Sequence, residues 1–217
     1  WSSDVCSSDL PDFTATLGEG VHGLRIGVPR NDFFVDVDPE VAAAVEAAVQ
    51  QLAKLGADVR EVEVPAVRTA GILSTTVMSS EAATYHLPLL REHWNTYGRD
   101  VRRRLLPGFT ISAETYLSAQ RARHLFIEGL RNVFDGVDLL AYPSEPVVAP
   151  LMTDRTVTIG SHTEPVAAAL TRLNRPGNTS GFPAISVPCG FVNGMPVGLQ
   201  LMGRPWDEAT EIGRAHV

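Results

Sequence analysis

Residues Asn178 to Thr210 read NTSGFPAISVPCGFVNGMPVGLQLMGRPWDEAT, and this stretch decides the fold. Ala184 to Pro188 and Val197 to Met202 are apolar runs, and Val192-Asn193-Gly194-Met195 stands between them. Asn-Gly between apolar runs is the strongest short hairpin signal, because both residues tolerate the positive φ that a tight turn demands. Downstream, Asp207 and Glu208 look like the start of a helix, where acidic side chains meet the positive end of the helix dipole.

Working outward from this hairpin, Leu24 to Val28 is a short apolar run closed by Pro29 and reads as a buried strand. A helix follows it. Asp38 is a good N-cap, Pro39 suits the first helical position, and Glu40 favours the dipole. Val41, Val45, Val49, Leu52 and Leu55 repeat at helical spacing, and Gly56 supplies the stop. Val59, Val62 and Val64 then sit in a charged strand pattern up to Pro65, so Leu24 to Val64 forms a strand, helix, strand unit with right-handed parallel pairing expected. From Ala66 to about Asp135 the composition is helical, with Pro88 and Pro107-Gly108 expected as breaks. Ser112, Glu114 and Thr115 open what reads as the longest helix. Its apolar positions, Tyr116, Leu117, Ala119, Leu125, Phe126, Leu130, Val133 and Phe134, are expected on one stripe, and Arg121, Arg123 and Arg131 on a wet face. Val137 to Tyr142 reads as another buried strand ended by Pro143. Ser144 to Thr163 is polar, proline-rich and expected to cover or edge a cleft without joining an element. No internal repeat and no linker that would divide the chain is visible.

The chain has 217 residues, of which 44% are hydrophobic, and a formal net charge of −7. Its 18 basic residues are 17 arginines and the single Lys54, and only Arg102, Arg103 and Arg104 cluster. Such a chain has no broad cationic face, so direct nucleic-acid binding is not expected and a small molecule is the expected partner. No apolar run reaches the roughly 18 residues of a membrane span, and a cytoplasmic location is the default expectation. Cys6 and Cys189 build no disulfide framework.

Both ends read as foreign peptide. DVCSSDL at Asp4 to Leu10 and EIGRAHV at Glu211 to Val217 can be encoded by opposite strands of one DNA segment, which has no cause at the protein level. We therefore read residues 1–10 and 211–217 as translated adapter and assign no chemistry to Cys6, Ser7 or Ser8.

The remaining segment, 11–210, resembles the later part of amidase-signature enzymes. The resemblance touches Pro11 to Thr14, Gly23 to Pro29, Asp38 to Pro65, Gly98 to Arg123 and Asp138 to Pro143, and is most specific at Asn178 to Thr210. There the Asn-x-x-Gly-x-Pro-Ala start, the Pro-Cys-Gly middle and the Gly-Leu-Gln-Leu-Met-Gly-Arg-Pro end are long and ordered. The resemblance implies an α/β fold, a mixed β-sheet flanked by helices on both faces, of which this chain supplies the C-terminal part. It also implies hydrolysis of a carboxamide through a serine acyl intermediate, with a second serine and a lysine relaying protons and no metal or other cofactor.

A serine hydroxyl is a weak nucleophile and needs an adjacent base. The family's Gly-Gly-Ser-Ser-Gly-Gly-Ser type stretch and earlier lysine are absent, so the catalytic set is expected upstream and the segment is expected to be inert. Ser79-Ser80 lacks flanking glycines, and Lys54 faces away from the valine stripe. Asn178, Thr179 and Gly181 match family positions beside the acyl pocket and are the candidate substrate-binding residues. A loop needing an amide cap and a permissive glycine would carry the same three residues. Cys189, without a nearby histidine in sequence, reads as a buried structural thiol. His86 and His93 face alike on a helix but lack further ligands at metal spacing. His162 is a pocket-rim candidate. Arg102, Arg103 and Arg104 suit a solvated face or, alternatively, an acidic substrate group.

The A subunits of glutamine-dependent transfer RNA amidotransferases belong to the same family and are the alternative reading. They carry an aspartate seven residues before the position of Asn178, where this chain has Thr171. A homodimer or the partner subunits of such an amidotransferase are the expected protein partners.

Overall fold

The structure is a computed structural model that describes residues 11–65 and 67–214. Cys6, Ser7 and Ser8, with the rest of 1–10, lie outside the described residues, as do Ala66 and 215–217. Along the chain run β1 (Arg25–Pro29), α1 (Pro39–Lys54), β2 (Asp58–Val62), α2 (Val67–His93), α3 (Arg99–Leu105), α4 (Ala113–Phe134) and β3 (Leu139–Pro143). There follow β4 (Thr156–Ile159), β5 (His162–Pro165), α5 (Val166–Arg172), α6 (Arg175–Ser180), β6 (Ala184–Val192), β7 (Met195–Met202) and α7 (Glu208–Arg214). They form two compact units. A sheet unit comprises the chain up to Glu63, Val133–Leu173 and the chain from Gly181; a helical unit comprises Val64–Asn132 and Asn174–Ser180. No linker marks this division in the sequence, because the helical unit is assembled from two separate stretches.

The sheet unit contains a mixed five-stranded sheet in the order β2-β1-β3-β7-β6. β1 lies parallel to β2 and to β3, whereas β7 runs antiparallel to both β3 and β6. The central strand β3 is buried along its whole length, as LLAYP, an unbroken apolar run covered on both faces, dictates. Helix α1 starts as expected: the Asp38 carboxylate accepts from the Glu40 and Val41 N–H groups at 2.8 and 3.3 Å. Its Val41, Val45, Val49 and Leu52 are buried, but Leu55, expected on the same stripe, is 41% exposed beyond the last turn. Between β6 and β7, Asn193 and Gly194 have φ of 51° and 78°, as a two-residue hairpin turn requires.

One carboxylate fixes the starts of β1 and β3. Asp138 accepts from Arg25 through its backbone N–H, Nε and Nη2 at 3.0, 3.2 and 2.7 Å, and from Arg204 Nη2 at 2.6 Å. The Arg25 bonds above all, then the charges of Arg25 and Arg204, outweigh desolvation and hold the Asp138 carboxyl down to about 2.

Strand β6 departs from even pairing. Its register with β7 shifts between Pro188 and Gly190, so Cys189 is the extra residue of a β-bulge. The stretch Ser144 to Thr163 also differs from expectation. Thr156 to Ile159 pairs with His162 to Pro165 as a small antiparallel hairpin, which polar threonines support without apolar alternation.

At the far end of the sheet unit, α7 places the Glu211 carboxyl in the interior, with its Oε1 unpartnered among the described residues. Burial pushes this carboxyl up to about 8 against the Gly203 N–H, and the charges of Glu208 and Asp207 add to the rise. The Tyr142 hydroxyl is likewise buried without a partner among the described residues, and burial, then the Glu211 charge, raises its pKa.

In the helical unit Pro88 does not break the chain. It sits inside α2, which runs on for 27 residues and exceeds the 22 of α4, since a proline removes only one rung of the ladder. Pro107-Gly108 does mark a break, a 3₁₀ turn over Leu106–Thr110. Gly108 is required there, because a Cβ would collide with the Ser79 carbonyl of α2. On α4 the stripe is narrower than expected: Ala119, Phe126 and Leu130 are buried, whereas Leu117 and Leu125 are 52% and 72% exposed. The positions 119, 126 and 130 stack on one side at seven- and four-residue steps, and a helix turns 117 and 125 away from them. Among the described residues, no helix is long and apolar enough to cross a membrane.

Two outcomes follow from these carboxylates. Replacing Asp138 by Asn should destabilise the protein by about 2 kcal/mol at neutral pH, measured by urea unfolding. A lowered carboxyl pKa stabilises above its unfolded value, so that contribution should vanish in the parent as pH falls from about 4 through about 2. Glu211 has the opposite sign: its raised pKa costs nothing below 4.5 and progressively more as pH rises to about 8. E211Q should therefore melt higher than the parent at pH 8 and match it near pH 4 in a calorimetric series.

Candidate functional site

Helix α6, RPGNTS, has only six residues and is held by side chains more than by its own ladder. The Thr179 hydroxyl donates to the Ala70 carbonyl of α2 at 3.0 Å, and the Ser180 hydroxyl donates to Pro176 O at 2.8 Å. Arg123 of α4 donates from Nε to the Thr179 carbonyl at 2.6 Å. The Thr179 and Arg123 bonds place α6 beside α2 and α4 within the helical unit, and the Ser180 bond lies within α6. Arg175 lies so close to Gly71 of α2 that a Cβ there would meet its Nη1 at 2.9 Å.

Asn178 and Thr179 line one cavity of about 390 Å³ in the helical unit. Leu73, Val77, Met78 and Ala82 of α2 form an apolar wall, while Ser74, Glu81 and Arg123 add polar groups. Such a pocket, apolar with a few convergent polar groups, is the common form of a small-molecule site. Asn178 is exposed and Thr179 buried, so the Asn178 amide can face a ligand while Thr179 secures the helix. Gly181 does not line this cavity. It belongs to the sheet unit, at a φ of 76° where glycine suffers no steric conflict, with no heavy atom within 4 Å of an added Cβ.

The cavity has a charged group at two places. Glu81 Oε1 accepts from the Tyr116 hydroxyl at 2.9 Å, and Tyr116 in turn accepts from the Gln120 amide at 2.8 Å. Arg123, expected on a wet face, is instead half-buried and fixed to Thr179. Neither Glu81 nor Arg123 stands out in the sequence as a site residue. Helical periodicity puts Arg123 on the polar side, where Thr179 of the returning stretch Asn174–Ser180 meets it.

The other candidates lie elsewhere. Ser79 and Ser80 are helical, Ser79 is buried, and Ser80 bonds back to the Thr76 carbonyl at 2.8 Å, so the pair forms no anion-cradling turn. His86 Nδ1 is 2.8 Å from the Tyr97 hydroxyl, and His93 stands 3.8 Å from Glu92. Arg102 stacks over the Trp94 ring at 4.9 Å, while Arg103 and Arg104 are exposed. In the sheet unit His162 lies 3.9 Å from Asp36 and 3.8 Å from Glu164. Cys189 is partly buried, and desolvation raises its thiol, which opposes thiolate formation. Thr171 is exposed on α5 and donates its hydroxyl to Ala167 O at 2.8 Å. Lys54 is exposed in the last turn of α1. Glu145, Val147, Val148 and Ala149, from the stretch expected to edge a cleft, line a second cavity of about 260 Å³ together with Leu170 and Gly198.

Comparison with known proteins agrees with this architecture. The Amidase family model matches residues 1–211. An amidase of Pseudomonas putida is 40% identical over 202 residues, covering 93% of this chain and 43% of its own length. The A subunit of the glutamyl-tRNA(Gln) amidotransferase of Myxococcus xanthus is 35% identical, covering 99% of this chain and 49% of its own length. A solved amidase crystal structure superposes with a TM-score of 0.83 at 30% identity, covering 90% of this chain and 45% of that structure. The chain thus spans less than half the length of these relatives. Five strands in a mixed sheet with flanking helices, matched at this identity, place the chain in the amidase-signature family of hydrolases.

Proposed function

We propose that the full-length protein hydrolyses the carbon–nitrogen bond of a small carboxamide through a serine acyl-enzyme. In that chemistry the serine hydroxyl attacks the amide carbonyl, its proton passes to the departing nitrogen, and water then releases the acid from the ester. The nucleophilic serine, its partner serine and the lysine lie upstream of this segment, so the 217-residue chain alone is inert. No metal or other cofactor takes part. The native segment is 11–210, and the buried Glu211 Oε1, without a partner among the described residues, supports reading the residues from 211 onward as foreign.

Asn178, Thr179 and Gly181 are the substrate-binding residues of this segment. The observation that supports this most is the cavity itself: two of the three residues line a single apolar pocket with an exposed amide at its edge. The likeness to the Pseudomonas putida amidase supports the same reaction class. The protein acts in the cytoplasm, as a homodimer or with partner subunits.

A second reading, the A subunit of a transfer RNA dependent amidotransferase, is supported by the 35% identity to the Myxococcus xanthus protein. Thr171 weighs against it, because an exposed threonine bonded back to its own helix supplies no carboxylate for an amine.

Ammonia release decides between them. The gene joined to its upstream half should release ammonia from simple amides, whereas this chain alone should release none. Asn178→Ala in the joined protein should raise KM several-fold with little change in kcat, since a rim amide binds ground and transition states alike. Glutamine turnover appearing only with added partner subunits would favour the amidotransferase reading.

A further inference from the structure

We propose that residues 184–187 of β6 are the seam at which a β-strand from the upstream half of the protein joins this sheet. The two outer strands of the sheet differ in kind. β2, DVREV, carries Asp58, Arg60 and Glu61, charges of the sort that keep a true edge from pairing with another chain. β6, AISVPCGFV, has nine residues against five and carries no charge. A long uncharged outer strand is a liability unless another strand covers it.

Hydrogen-bond parity identifies the open groups. The Gly203 N–H donates to the Pro183 carbonyl at 3.1 Å, and antiparallel pairs alternate, so Ile185 and Val187 also turn their backbone groups towards β7. The Ser144 N–H donates to the Gly198 carbonyl at 2.9 Å, which turns Gly198, Gln200 and Met202 towards β3 and leaves Leu199 and Leu201 for β6, the same parity. Ala184 and Ser186 therefore point their N–H and C=O groups away from the sheet, and no backbone partner meets them among the described residues. Pro188, next in that row, has no N–H, and the bulge at Cys189 follows, so the open row ends there. What remains is room for one short strand of about four residues.

The occupant is a segment of this same protein, because the chain spans less than half the length of its relatives. Side chains set the character of that segment. Ala184 and Ser186 are small and exposed, whereas Ile185 and Val187 are half-buried. The arriving strand shares their pleat, with apolar side chains beside Ile185 and Val187 and larger or polar ones beside Ala184 and Ser186. Backbone groups supply the attachment and alternate side chains supply the register. β2 stays at the outside of the completed sheet.

The proposal rests on reading the chain as the later part of a longer protein, and not on the reaction catalysed. Its test needs no turnover, so its failure and the failure of the amide-hydrolysis reading are separable. Amide hydrogen exchange is followed by NMR on the joined full-length protein, with β2 as internal control. The Asp58 N–H donates to the Leu24 carbonyl, so alternation along the parallel pair turns the Val59 and Glu61 amides outward. Those two should exchange fast, whereas Ala184 and Ser186 should exchange at least about a hundredfold more slowly. Both slow amides should also show nuclear Overhauser contacts to residues upstream of Pro11. Ala184→Pro removes an outward donor and no bond to β7, so it should lower the melting temperature by several degrees, while Glu61→Pro on the true edge should cost far less. Exchange at Ala184 and Ser186 as fast as at Glu61 would overturn the proposal. So would protection that fades on dilution, the mark of a second copy, protection without upstream contacts, or an A184P variant as stable as the parent.

Discussion

The Asp138 carboxylate is the constraint on which the sheet unit depends. It stands immediately before β3, accepts from three groups of Arg25 at the start of β1, and accepts from Arg204 just past β7. Hydrogen bonding between strands leaves sliding by two residues as a nearly equivalent alternative, because side chains keep their faces under such a slip. A charge held by two arginines at fixed chain positions removes that freedom. The apolar run of β3 provides the driving force for burial, and Asp138 decides which neighbours it is buried against.

A comparable division of labour operates in the helical unit. Long helices α2 and α4 supply surface, but α6 has too few residues to be stable alone. Its position is dictated by two directed bonds, from Thr179 to Ala70 and from Arg123 to Thr179, while the bond from Ser180 to Pro176 closes α6 on itself. Close backbone approach at Gly108 and tight side-chain packing at Gly71 complete the arrangement. Thr179 thus acts chiefly as a fastener, and it is the fastening that presents Asn178 at the cavity edge.

Much of this is legible from the chain. The Asp38 cap, the valine stripe of α1, the Asn193-Gly194 turn and the buried LLAYP run all follow from local rules, and the structure carries each of them. What local rules do not supply is coverage by distant segments. Arg123 sits where periodicity places a solvated face, yet Thr179, 56 positions downstream, closes over it. The β4–β5 hairpin is invisible to periodicity because its threonines lack apolar alternation, and Pro88 misleads because one missing rung does not end a 27-residue helix. Of the candidate site, Asn178 and Thr179 emerge through their resemblance to a family, whereas Glu81 and Arg123 give no signal in the linear pattern.

The bulge at Cys189 has a consequence for how β6 counts its residues. Before it the odd positions, Ile185 and Val187, are the more enclosed; after it the even position Val192 is buried and Phe191 turns outward. The strand changes phase at a single residue, so both of its halves meet their proper surroundings although they obey opposite parity rules. Chain length at this point therefore carries structural information that composition does not. Were Cys189 paired as an ordinary strand residue and not bulged out, the inside and outside of everything between it and the hairpin turn would be inverted, whereas deleting it would leave a regular strand with the same register.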